Sequence, residues 1–161
     1  MHRPLVLGVG NYLLGDEGVG VHAVRALQES GVPEGVTALD GGTGGFHLLS
    51  LFQEHDPIIL IDATMDGAPA GTVSLLQPKF ASDFPRTLSA HDIGLRDLLE
   101  SAALLGPLPT LHLITVSIES LQSMSVELSP GVKSAVPEAL RAVKEILFEG
   151  TARNASRAAT H

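Results

Sequence analysis

The chain contains no cysteine. That absence excludes a disulfide framework, a thiol nucleophile, a cysteine-ligated zinc site and an iron–sulfur cluster. Tryptophan is also missing, and aromatic residues make up only 4% of the chain, so its core has to be aliphatic. Basic residues are scarce: 10 Lys and Arg stand against 18 Asp and Glu, a formal charge of −8 with His neutral. An acidic chain without a basic stripe is poorly suited to a phosphate backbone, so no nucleic-acid partner is expected. No stretch approaches the roughly 18 consecutive apolar residues of a membrane span, and no membrane association is expected either. Met1, His2, Arg3 and Pro4 lead directly into a strand-like segment with no signal-peptide pattern, which makes a cytoplasmic protein the expectation.

What is present suits one folded unit. Hydrophobic residues are 44% of a chain of 161, about one ordinary domain. Residues 1–150 are expected to form that domain, and 151–161, small, polar and mildly basic, a flexible C-terminal tail.

Residues 4–9 form a short apolar run, a buried first strand. Val19, Ala23, Val24 and Leu27 then fall at helical spacing, up to Gly31 and Pro33. A second strand is expected at 36–39, followed by a short helix carrying Phe46, Leu49 and Phe52. The unbroken apolar run 57–61 predicts a central strand covered on both faces. The next strand, 71–76, follows Asp62 too soon for a parallel crossover, which takes about a dozen residues, so it should be an antiparallel edge strand. Ser89 and Asp92 resemble a capping box opening a helix that runs to Gly106 and Pro107. A last strand is expected at 111–118. Ser129 as N-cap and Pro130 at the first helical position open a final helix. Its apolar face is Val132, Val136, Leu140, Val143 and Leu147, with a kink expected at Pro137 and an end at Gly150. The order β-α-β-α-β-β-α-β-α defines an α/β domain with a mainly parallel sheet between helices. Ligands of such sheets bind beyond the carboxyl ends of the strands, which directs attention to the residues found there.

After the first strand come Gly8, Gly10, Gly15, Gly18 and Gly20. A dinucleotide fingerprint would need glycine where Leu13 stands and an acid about 20 residues on, and neither condition is met. The glycines instead permit a tight bend that presents Asp16 and Glu17. Adjacent helical residues face different ways, so one of the two can aim into a cleft while the other caps the helix or orients its neighbour. Alternatively, both simply favour a helix N-terminus. Asp62 ends the central strand, where a buried carboxylate needs a partner, a metal or water, unless it caps a loop. His91 stands at a helix start, a setting that favours the neutral, metal-binding imidazole; the alternative is a surface histidine. One His and two carboxylates from separate segments suit nickel, zinc or iron. The amides of Asp40, Gly41, Gly42 and Thr43 either pair with an extended peptide or form a plain turn. No H-E-x-x-H zinc motif and no G-x-S-x-G nucleophile elbow is present.

Taken in order, these segments resemble the hydrogenase maturation endopeptidases. The likeness spans nearly all of residues 4–149. It is carried by Gly8, Gly10 and Asn11 with Asp16, Glu17, Gly18 and Gly20, by Asp40, Gly41, Gly42, Thr43 and Gly45, and by Asp62 with Ala63. His91, Asp92, Gly94 and Leu95, then Ile118, Glu119 and Ser120, then Leu128, Ser129 and Pro130 extend it. The resemblance implies a three-layer α/β/α sandwich with a five-stranded mixed, mainly parallel sheet and one antiparallel edge strand. It implies an endopeptidase that removes the C-terminal extension from the precursor of a nickel–iron hydrogenase large subunit once nickel has been inserted. The family's metal-contacting residues correspond to Glu17, Asp62 and His91. Nickel would come with the substrate, leaving the resting enzyme metal-free. The catalytic candidates are Asp16, Glu17, Asp62 and His91, with Asp40, Gly41, Gly42 and Thr43 at the substrate. Either the metal activates carbonyl or water, or Asp16 or Asp62 serves as general base in the manner of an aspartyl protease. The enzyme is expected to be monomeric. The competing expectations are another metal-dependent peptidase or amidase of similar fold, and a non-catalytic nickel-checkpoint binding module.

Overall fold

A computed structural model describes residues 2–43, 48–80, 83–85, 95–120 and 124–159; for 95, 96 and 150–159 only the backbone is described. The apolar run at 57–61 lies inside β3, His55–Thr64, which is flanked by β1, Arg3–Gly8, on one side and β5, Leu111–Ser117, on the other. β2, Thr37–Asp40, lies outside β1, and β4, Val73–Leu76, outside β5, so the sheet order is β2-β1-β3-β5-β4. Every pairing is parallel except β4 with β5. The short connection before residue 71 thus produces the antiparallel edge strand it predicts. β3 is longer than its apolar run because pairing with β5 continues through Asp62–Thr115 to Thr64–Ser117.

Alternation along β3 sorts its side chains into two cores. Ile59, Ile61 and Ala63 pack with α1, Val19–Ser30, and α4, Pro130–Ala159. Ile58 and Leu60 pack with α2, Leu49–Glu54, and α3, Leu95–Leu105. Each core residue of this size removed from water contributes about 1.5–3 kcal/mol, which explains why so few aromatics suffice. The result is the α/β/α sandwich. Among the described residues, no helix is long and apolar enough to cross a membrane.

Two helix boundaries need comment. α4 turns Ala135, Ala139 and Ala142 inward beside Val132 and Val143, so its buried stripe is lined by smaller residues than the Val/Leu spacing suggests. Gly150 does not end α4: the helix continues to Ala159, because glycine interrupts a helix only when its backbone turns left-handed. Phe46 and the Ser89–Asp92 box lie outside the described residues.

Candidate active site

The strand order reverses between β1 and β3: the chain leaves β1 for β2 on one side and returns to β3 on the other. The crevice at the carboxyl end of such a reversal is where ligands of α/β sheets bind. Here β1 ends first. The Val9 N–H still donates to the Ile61 carbonyl at 3.0 Å, but the next amide, Gly10, turns away to the Gly42 carbonyl at 2.6 Å. Asp62 therefore lies one residue past the last β1 contact, paired with Thr115 of β5 and fully buried. It sits within β3 rather than after it, just beyond the point where β1 departs. Its Oδ1 accepts from the Ala63 N–H at 2.7 Å.

Gly10 is where the segments converge. Its φ of 132° is open only to glycine, and a Cβ on it would lie 2.2 Å from the Glu17 carbonyl oxygen and 3.4 Å from Asp62 Oδ1. The Gly10 backbone thus lies between the Glu17 main chain and the Asp62 carboxylate. Glu17 belongs to a 3-10 turn, Gly15–Gly18, that leads into α1. Asp16 and Glu17 are both buried, 3% and 2% exposed.

The two acids diverge, as neighbours on a turn must. Asp16 faces α4: its Oδ1 accepts from the Ser129 N–H and its Oδ2 from the Ser129 hydroxyl, each at 2.7 Å. Ser129, expected as an N-cap, places its hydroxyl on Asp16. The same turn is held a second time, by the Gly15 N–H on the Ser125 carbonyl at 2.7 Å and the Ser125 N–H on the Leu13 carbonyl at 2.8 Å. Ser125 and Ser129 are residues that sequence reasoning did not assign to the site. Both lie more than a hundred positions from their partners, and a hydroxyl carries no periodic signal.

The loop after β2 borders the crevice. Asp40 Oδ1 accepts from the Gly42 N–H at 2.8 Å, and its Oδ2 lies 3.6 Å from Arg25 Nη2. The Gly41 N–H is taken by the Gly8 carbonyl at 2.7 Å. The amides of Gly41 and Gly42 are thus engaged within the fold, as in a plain turn. Thr43 follows them, and 44–47 lie outside the described residues.

His91 lies outside the described residues, four positions before Leu95. α3 ends at Leu105, which lines a cavity with His2, Phe52 and His55 at the amino ends of β1 and β3. The helix therefore runs back along the sheet, and its start lies toward the strands' carboxyl ends. Among the described residues no three His, Asp or Glu are gathered as a metal site.

A further polar group lies behind Asp16. Arg25 stacks 4.0 Å from the centre of the Tyr12 ring, and His22 lies 4.8 Å from the same ring. Together with Glu29 and Lys133 they line a cleft of about 680 Å³. His22 Nε2 is buried with no hydrogen-bond partner among the described residues. Burial lowers the His22 pKa below its ordinary value, the Arg25 charge adds to this, and the Val126 backbone and Asp16 oppose it.

Comparison with known proteins agrees with this architecture. The family model described as hydrogenase maturation protease matches residues 21–146. The hydrogenase 2 maturation protease of Escherichia coli K12 is 37% identical over 163 residues, covering 99% of each chain. The hydrogenase expression/formation protein HoxM of Azotobacter vinelandii is 37% identical over 151 residues, 90% of this chain and 72% of that one. Among solved structures, the hydrogenase maturating endopeptidase HybD of E. coli superposes with a TM-score of 0.81 at 38% identity, over 92% of this chain and 93% of its own. HybD of Thermococcus kodakarensis gives 0.75 at 28% identity, over 89% and 98%. The fold and the family match are those of a hydrolase, an α/β/α peptidase. The chain belongs to the hydrogenase maturation protease family.

Proposed function

We propose that this peptidase removes the C-terminal extension from a nickel–iron hydrogenase large-subunit precursor after nickel insertion, and that Glu17, Asp62 and His91 contact the precursor's nickel. The observation that carries this reading is that Gly10, where the strand order reverses, lies against both the Glu17 main chain and the Asp62 carboxylate. Two carboxylates and an imidazole make a set with open coordination positions, which nickel held by another protein can complete. The cut then depends on the presence of nickel, and the enzyme needs no resident metal. Of the two aspartates, Asp62 is the better placed to act on the scissile bond or its attacking water, because both oxygens of Asp16 are engaged by Ser129. The turn formed by Asp40, Gly41, Gly42 and Thr43 forms the wall along which the precursor's extended tail lies. The enzyme acts as a cytoplasmic monomer on its protein partner.

The test is cleavage of nickel-loaded and nickel-free precursor by the wild type and by Glu17→Gln, Asp62→Asn and His91→Ala. The wild type should cut the loaded form alone, and each substitution should slow that cut by about 10²-fold or more. Equal cleavage of both precursors would overturn the dependence on nickel. Wild-type rates in all three variants would overturn the site. Cleavage of unrelated peptides would favour a general peptidase or amidase of the same fold.

A further inference from the structure

The turn that bears Glu17 is braced from within by longer bonds than those that reach it from elsewhere. Internally it has the Glu17 N–H on the Leu14 carbonyl at 3.2 Å, the Leu14 N–H on the Asn11 carbonyl at 3.1 Å, the Leu13 N–H on Asn11 Oδ1 at 3.0 Å, and the Val19 N–H on the Asp16 carbonyl. No side-chain hydrogen bond caps it. Its shorter and more buried contacts come from residues 124–129, before α4. Among these, the Asp16–Ser129 pair is made by a side chain of the turn and fills both carboxylate oxygens.

We infer that Asp16 and Ser129 are a positioning pair: they fix the turn so that Glu17 reaches the crevice, and Asp16 takes no part in proton transfer. A carboxylate that accepts two charge-assisted bonds at 2.7 Å from one residue is held in a single orientation. Its immediate neighbour Glu17 then has a defined backbone position, with its carbonyl pressed against Gly10. The inference rests on the proposal that Glu17 acts on the precursor's nickel.

Asparagine separates positioning from proton transfer. In Asp16→Asn the amide oxygen still accepts from the Ser129 N–H. The amide nitrogen donates to Ser129 Oγ, whose hydroxyl turns to accept. The clamp survives, while the ability to take a proton does not. The experiment measures kcat and KM on nickel-loaded precursor, with thermal midpoints, for Asp16→Asn, Asp16→Ala, Ser129→Ala, Ser129→Thr, Glu17→Gln and the Glu17→Gln/Ser129→Ala double variant. Asp16→Asn should remain within about threefold of wild type, the scale of one altered hydrogen bond. Asp16→Ala and Ser129→Ala should raise KM about tenfold or more, as loss of a ligand-orienting partner does, and Ser129→Thr should restore it. In the Glu17→Gln background, Ser129→Ala should add less than about a twofold change, because its effect passes through Glu17.

Asp16→Asn as inactive as Asp16→Ala would overturn the inference, since Asp16 would then be needed as a base. An equal penalty for Ser129→Ala with and without Glu17 would also overturn it. An impaired Glu17→Gln beside an unaffected Ser129→Ala would remove the pair and leave the site standing. Wild-type cleavage by Glu17→Gln would remove the site itself, and any role through Glu17 with it. Where an alanine variant does not fold, Asp16→Asn decides alone.

Discussion

At Gly20 a single methyl group has nowhere to go. A Cβ there would lie 2.1 Å from the Ile61 carbonyl oxygen and 2.5 Å from that of Val9, both backbone atoms at the end of the sheet. Gly20→Ala should therefore lower unfolding stability in urea by about 1–3 kcal/mol or more. Gly106→Ala, with no atom within 4 Å of the added Cβ, should stay within about 0.5 kcal/mol. His22 gives a second expectation at this scale. Its folded pKa lies below the reference value of 6.5, so below that pH the unfolded chain binds the proton more readily than the native one. The stability tied to its neutral ring is complete above 6.5 and is lost as pH falls toward the folded pKa. Denaturation midpoints measured from pH 7.5 down to 5 should fall more steeply for the wild type than for His22→Gln. Spacing alone left Glu17 and Asp62 with a capping alternative, and it was the resemblance that singled them out; their burial and the packing at Gly10 belong to the fold. The division of labour between Asp16 and Glu17 was legible as an alternative and no further, since spacing says that neighbours diverge but not which way each faces. His22 carries no signal of its own in the sequence, because its surroundings come from Tyr12 and the segment around Val126.

Among the elements, the short edge strand is the clearest case of sequence dictating structure: the connection before it was too short for a parallel return, and β4 pairs antiparallel to β5. Boundaries fared less well. β3 extends past its apolar run because ladder partners on β5, including hydroxyl residues Thr115 and Ser117, prolong it. Local hydrophobicity does not register such pairing. α4 passes through both Pro137 and Gly150. Proline forfeits one backbone bond, but the buried face from Val132 to Val143 spans the site of that loss. Gly150 in a helical backbone carries an entropic cost that alanine lacks. Gly150→Ala should raise helical circular dichroism and stabilise the protein by about 0.5–1 kcal/mol. A left-handed helix stop at this position would give the opposite sign.

For the whole molecule, composition and element order were sufficient for an α/β domain with a mainly parallel sheet between helices, but not for the order of strands in space. The reversal between β1 and β3 is a property of the assembled sheet, and it is the reversal that makes Gly10, Glu17 and Asp62 neighbours. A chain ending at residue 123 should show this dependence. It would lack α4, which with α1 covers one face of the sheet, and should lose the cooperative unfolding transition expected of the full chain. The bond from Ser129 back to Asp16 spans 113 positions. At translation rates of about 5–20 residues per second, the turn holding Glu17 leaves the ribosome on the order of ten seconds before the serine that secures it. A growing chain that has not yet reached Ser129 therefore cannot secure the site, and the turn waits on a residue made long after it.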